Sequence, residues 1–174
     1  MRKLKIDLTE LELALDSGGE MISYYLDTET GEIISITDDE RRLLESIYDS
    51  YYNEQTQTID WAAAFQEEHV PEWQRKRLQD ADSIEEGFGS RFKAIPSEDS
   101  YDGYRDMEAF IDSVLNPRLQ ERLERAISGR GAFRYFKDVL LDHPAERERW
   151  FKFKQDRFQQ RMLDWLEAQG ITPL

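Results

Sequence analysis

The sequence predicts an α+β fold, mostly helical, with a small antiparallel β-hairpin or three-stranded sheet packed on a helical body. Three observations predict it. From residue 100 almost to the end, apolar side chains return every three or four positions, the period of a helix with one buried stripe. Two short runs rich in β-branched and aromatic residues, 21–26 and 32–36, flank DTETG, whose glycine suits a left-handed turn position. Finally, Asp7-Leu-Thr-Glu10 and Thr37-Asp-Asp-Glu40 both have the spacing of a capping box.

The elements follow in chain order. Asp7 opens a short helix with the stripe Leu8, Leu11 and Leu15, and Gly18-Gly19 supply the φ freedom that ends it. Two strands alone are marginal, so the hairpin recruits helices or a third strand, and residues 91–95 before Pro96 supply one. Between them lies a mostly helical excursion over 37–87. Its first helix carries Leu43, Leu44, Ile47, Tyr48 and Tyr51; the polar stretch 53–58 breaks the pattern. Residues 61–65 and 71–84 are further helical pieces, with Pro71 preset for a first helical position, and 83–90 reads as a loop.

A C-terminal helical core spans 100–170. Tyr104, Met107, Phe110, Ile111 and Val114 form one face, and Asn116-Pro117 ends that helix while capping the next, whose stripe is Leu119, Leu123 and Ile127. Gly129-Arg-Gly131 is a sharp joint before a helix marked by Phe133, Phe136, Val139 and Leu140. His143-Pro144 then opens the longest helix, with Phe151, Phe158, Met162, Trp165 and Leu166 inward and Gly170 closing it. There is no internal repeat, low-complexity tract or clear domain boundary, so the reading is one domain, 1–174.

At 174 residues and 20.7 kDa, with 39% hydrophobic residues, the chain can bury a real core. No apolar run approaches the roughly 20 residues of a membrane span, and residues 1–8 lack the apolar stretch of a secretion signal. With no cysteine there is no disulfide, thiolate metal site or cysteine nucleophile, and a cytoplasmic location is expected. The net charge of −14 opposes non-specific binding to nucleic acid or anionic membranes. All of that charge lies in residues 1–100, which hold 10 basic and 24 acidic side chains; residues 101–174 hold 13 of each. Within 130–161 there are nine basic and five acidic residues.

The candidate ligand-binding residues are Gly129, Arg130, Gly131, Arg134, Lys137 and Trp150. Two glycines let the backbone turn just before a helix, where free amides and the helix dipole favour an anion, and the three cations add charge. The competing reading has Gly129 end one helix, Gly131 start the next, Phe133 and Phe136 enter the core, and Arg134 pair with Asp138 four residues on. Trp150-Phe-Lys-Phe-Lys154 mixes rings and cations as a nucleic-acid surface does, but on a helix those side chains point around the whole circumference, which favours core packing. Asp102, Asp106, Glu108 and Asp112 are suitable hard ligands for Mg²⁺ or Ca²⁺, in a chain where acids are common enough for such spacing to arise by chance. His69 and His143 lack the i, i+4 partner of a zinc helix and are placed near helix ends, and no Gly-x-Ser-x-Gly elbow is present. No catalytic residue, metal or cofactor is assigned.

Five blocks, YYLDTETGE (24–32), PEWQ (71–74), YRDMEAFI (104–111), GRGAFRYFKD (129–138) and 150–166 from Trp150 to Leu166, together resemble the bacterial uncharacterised protein family 0158. The resemblance spans nearly the whole chain, although 48–65 is longer than the family pattern. It implies fold boundaries and no activity, since the family is defined by sequence. The expected function is therefore a non-catalytic cytoplasmic binding or regulatory module recognising an anionic group, on a small molecule or a protein partner, near the 129–137 joint. The alternatives are a metal-assisted hydrolase of a phosphorylated substrate, using acids of 102–112, and an acidic protein-interaction module or nucleic-acid mimic.

Overall fold

In the computed structural model, which describes residues 1–17, 19 and 21–174, the chain opens with β1 (Arg2–Leu4) and reaches the first predicted cap. Asp7 Oδ1 accepts from the amides of Thr9 (2.9 Å) and Glu10 (3.1 Å) and starts α1 (Leu8–Ser17), which buries Leu11, Ala14 and Leu15 while Leu8 stays exposed. Gly18, read as part of the helix stop, lies outside the described residues.

The hairpin is present as β2 (Ile22–Asp27) and β3 (Ile33–Thr37), antiparallel with Tyr24 opposite Ser35. Its turn needs Gly31. The residue has φ +84°, and a Cβ there would stand 2.2 Å from the Lys5 carbonyl oxygen. Thr37 then makes the full capping box with Glu40 and launches α2 (Asp38–Tyr51). The polar stretch after it folds into a second, minimal hairpin, β4 (Tyr52–Asn53) and β5 (Thr58–Ile59), before α3 (Trp61–Glu67) and α4 (Glu72–Gly87). The loop expected from residue 83 begins only after Gly87, because Ile84 is still needed in the core beside Leu78 and Ala81. β6 (Phe92–Ile95) adds to the free edge of β2, giving the antiparallel order β3-β2-β6.

Four helices follow: α5 (Ser100–Asp112), α6 (Pro117–Ile127), α7 (Ala132–Leu141) and α8 (Pro144–Ala168). Asn116 caps α6 by accepting from the amides of Arg118 and Leu119, with Pro117 at the first helical position. β7 (Ile171–Pro173) ends the chain, parallel to β1. The chain forms two compact units, 1–97 with 171–174, and 98–170. In the second, Met107, Phe110, Leu123, Phe136 and Leu140 pack with Trp150. Several expected core positions are not filled as the stripes predict: Tyr48 and Phe133 are exposed like Leu8, and Phe151 is exposed beneath Arg147 while its neighbour Trp150 takes the interior position, 4.7 Å from the Phe136 ring. Among the described residues no helix is long and apolar enough to cross a membrane.

Among the described residues three carboxylates are buried, and arginines hold each of them. Arg91 grips Asp27 through Nε (3.0 Å) and Nη2 (2.6 Å). Arg77 binds Glu40 through Nε and Nη2 and donates also to the Ser35 carbonyl. In the second unit Asp106 accepts from Arg157 Nε (2.6 Å) and from Arg161 Nη1 (2.8 Å) and Nη2 (2.9 Å), while Arg161 also reaches Glu98. Burial works to raise the Asp27 and Glu40 carboxyls, and the guanidinium and amide donors outweigh it, so both lie below their ordinary values.

Asp106→Ala removes the one anion that Arg157 and Arg161 share, and urea denaturation followed by tryptophan fluorescence is expected to show a loss of about 3 kcal/mol. Glu40 contributes stability above the ordinary value of 4.5, lost as pH falls through its lowered folded value. Glu40→Gln is therefore expected to destabilise at neutral pH, with the gap to the parent closing on acidification.

Candidate functional site

The predicted joint at 129–137 is an exposed surface that does not include the Trp150 ring. Gly131 has φ +77° and stands as the N-cap of α7 with no side-chain cap, so the left-handed turn requires it. Gly129 is exposed, and a Cβ there would meet nothing within 4 Å. Arg130 and Lys137 are exposed and have no ion-pair partner among the described residues. Arg134 stands 3.9 Å from Asp138, both exposed, and lies over the Tyr135 ring. Trp150 does not join them. It is 6% exposed and packs edge-on against Phe110 and Phe136, so its face is closed to a ligand.

The acids of α5 do not assemble either. Asp106 is committed to two arginines, Glu108 and Asp112 are exposed, and among the described residues no three acids or histidines form a group that could hold a metal ion. His69 and His143 do sit at helix ends, the first just beyond α3 with Nδ1 2.9 Å from the Glu67 carbonyl oxygen, the second as the N-cap of α8.

The concave site lies elsewhere, in the first unit. The capping box sets the phase of α2, so Leu44 and Ile47 turn inward and Arg41, Glu45, Tyr48 and Asp49 share the flank of that buried stripe. At the end of α2 the Tyr52 amide donates to the Tyr48 carbonyl and the two rings stack, centroids 4.3 Å apart at 18°. Asn53 then accepts from the amides of Gln55 and Thr56, which turns the chain back so that Thr58 and Ile59 lie beside α2. Asp60 caps α3 by accepting from the Ala63 amide and sets Trp61 at the rim. The opposite wall is α4, which presents Asp82, Glu85 and Glu86. Together they line an open cavity of about 940 Å³, in which Asp82 is half-buried and Glu45, Asp49, Glu85 and Glu86 are exposed.

Five carboxylates border this cavity, Glu45, Asp49, Asp82, Glu85 and Glu86, and among the described residues none has an ion-pair partner. The single cation on the wall, Arg41, donates to the Tyr25 hydroxyl at 2.8 Å. Burial, with Glu86 and Glu85 nearby, raises the Asp82 carboxyl above its ordinary value. The Tyr48 hydroxyl is raised too, by the Tyr52 hydroxyl, burial and the charges of Asp82 and Glu86. Behind this wall, burial and hydrogen bonds to Glu67 and Glu68 push Tyr51 up to about 12. Such a site favours a cation and repels phosphate. Its signal in the sequence is the pairing of Glu45 with Asp49 and Tyr48 with Tyr52 at four-residue steps, but only the fold brings α4 opposite them.

A carboxyl raised in the folded state opposes folding once both states are ionised. Asp82→Asn is therefore expected to raise the melting temperature at neutral pH, and the gain to vanish as pH falls below the ordinary value of 3.8, where folded and unfolded chains are both protonated.

Comparison with known proteins places the chain in a family. The chain is 27% identical over 173 residues to a UPF0158 protein of Pseudomonas aeruginosa, covering 99% of this chain and 88% of that one. It is 29% identical over 77 residues to a UPF0158 protein of Chlamydia pneumoniae, and 27% identical over 77 residues to one of Chlamydia trachomatis. Each chlamydial match covers 44% of this chain and about a quarter of the longer relative. No solved structure matches. The model of the Uncharacterised protein family (UPF0158) matches residues 72–174, which include the α4 wall of the cavity and the whole second unit to the chain end, and the chain belongs to that family.

Proposed function

We propose that this protein is a non-catalytic binding module of the cytoplasm whose acidic, ring-walled cavity accepts the positively charged groups of a ligand or partner. The observation that carries the reading is the set of five carboxylates around one cavity, none of them neutralised by a cation among the described residues. The volume of about 940 Å³ falls in the range of ligand sites. Aromatic faces beside the carboxylates suit organic cations, which are drawn to the ring quadrupole as well as to the charge. The lack of cysteine suits a reducing compartment. Of the functions expected from the sequence, the acidic protein-interaction module is the one nearest to this reading. One observation favours a second, anion-binding surface at the joint: Arg130 and Lys137 are exposed, with no ion-pair partner among the described residues, beside the free amides that open α7.

One titration separates the two. A short oligolysine peptide added to isotope-labelled protein is expected to move the amide signals of Glu45, Tyr48 and Asp82, with affinity falling as salt rises or as pH drops through the raised Asp82 value. Cavity signals that stay still with peptide would overturn the cation reading. Inorganic phosphate moving residues 129–137 alone would replace it with the anion surface.

A further inference from the structure

We infer that the cavity's ligand is a linear polyamine, a chain of amino groups separated by three or four methylenes. The assignment rests on the cation-binding reading above and names its ligand. The negative charge is spread out and does not converge. Among the described residues no three acids or histidines come together as a metal site, so a single hard divalent ion finds no adequate set of oxygens. Instead the acids come in rows: Glu45 and Asp49 are four residues apart on α2, and Asp82 and Glu86 four apart on α4. Four residues advance a helix by about 6 Å, the spacing of two amino nitrogens on such a chain.

Apolar and ring surface lies among these charges. Leu44 and Ile59 line the cavity, and the stacked Tyr48 and Tyr52 offer aromatic faces. Methylenes gain from that surface and so do weakly hydrated ammonium groups, whereas a hydrated metal ion does not. A lysine-rich peptide carries the same ammonium chemistry, but it also brings backbone amides and carbonyls that need partners once enclosed. Five of the lining side chains are carboxylates, which accept from ammonium groups and offer no donor to a peptide carbonyl, so the free polyamine is the better fit.

Isothermal titration calorimetry with spermidine at physiological salt tests this. The expected result is one spermidine per chain, weakened about tenfold by the double change Glu45→Gln with Asp82→Asn and about fivefold by Tyr48→Leu, which keeps the apolar bulk and removes the ring face. Circular dichroism melting establishes that each variant is folded. Glu124→Gln, an exposed acid of the second unit, leaves binding unchanged. Heat reproduced by Mg²⁺ at equal charge, or binding indifferent to the cavity variants, would overturn the inference by reducing it to counter-ion screening. Oligolysine binding that depends on Glu45 and Asp82, with no spermidine binding, would overturn the polyamine while leaving the cation cavity standing. If neither probe binds, both readings fall.

Discussion

Burying a carboxylate without a cation costs several kcal/mol, and that cost organises this protein. Asp27, Glu40 and Asp106 are the buried charged residues among those described, and arginines from another part of the same unit close over each. The contacts are two-pronged or shared, so each fixes an orientation as well as a distance. Arg77 joins α4 to α2 and to the Ser35 carbonyl on β3; Arg91 joins the start of β6 to the end of β2; Arg157 and Arg161 join α8 to α5. Hydrophobic burial supplies the bulk of the core, and these ties set which side chains face each other across it.

That allocation of cations has a functional consequence. The first unit, residues 1–97 with 171–174, carries ten basic side chains against 22 acidic ones. Arg77 and Arg91 are committed to the interior, Arg41 to Tyr25, Lys76 to Asp80 and Arg42 to Asp39. None of these pairs reaches the five acids of the cavity. Of those five only Asp82 is half-buried, where water screens its charge less; the others are exposed along the rim. Burial first, and then the charges of Glu86 and Glu85, raise the Asp82 carboxyl there. The second unit, with 13 basic and 15 acidic side chains over 98–170, is close to balanced, and at its helix joint Arg130 and Lys137 have no ion-pair partner among the described residues.

Much of the fold was legible because its signals are local. The Thr37 to Glu40 box, the glycine of the hairpin turn and the Asn116-Pro117 stop act over a few residues, and each stands where its pattern places it. The misses have a common origin. Phe151 and Trp150 are adjacent aromatics on α8, and periodicity does not say which is inward; the rings of Phe110 and Phe136 on other helices decide it. Pairing of β1 with β7 joins residues more than 160 apart, beyond any local rule. The β4–β5 hairpin was missed because its strands are two residues each, too short to show alternation.

The candidate site divides along the same line. The sequence by itself determined a helical α+β chain, its caps and turns, the absence of thiol chemistry and the concentration of acid in its first hundred residues, since these depend on residue type and near neighbours. Only the tertiary structure decided that Asp82, Glu85 and Glu86 stand across a cavity from Glu45 and Asp49, and that Trp150 is closed to ligands. A charge's chemistry depends on what surrounds it in space, and residues more than thirty positions apart become neighbours only when the core between them is packed.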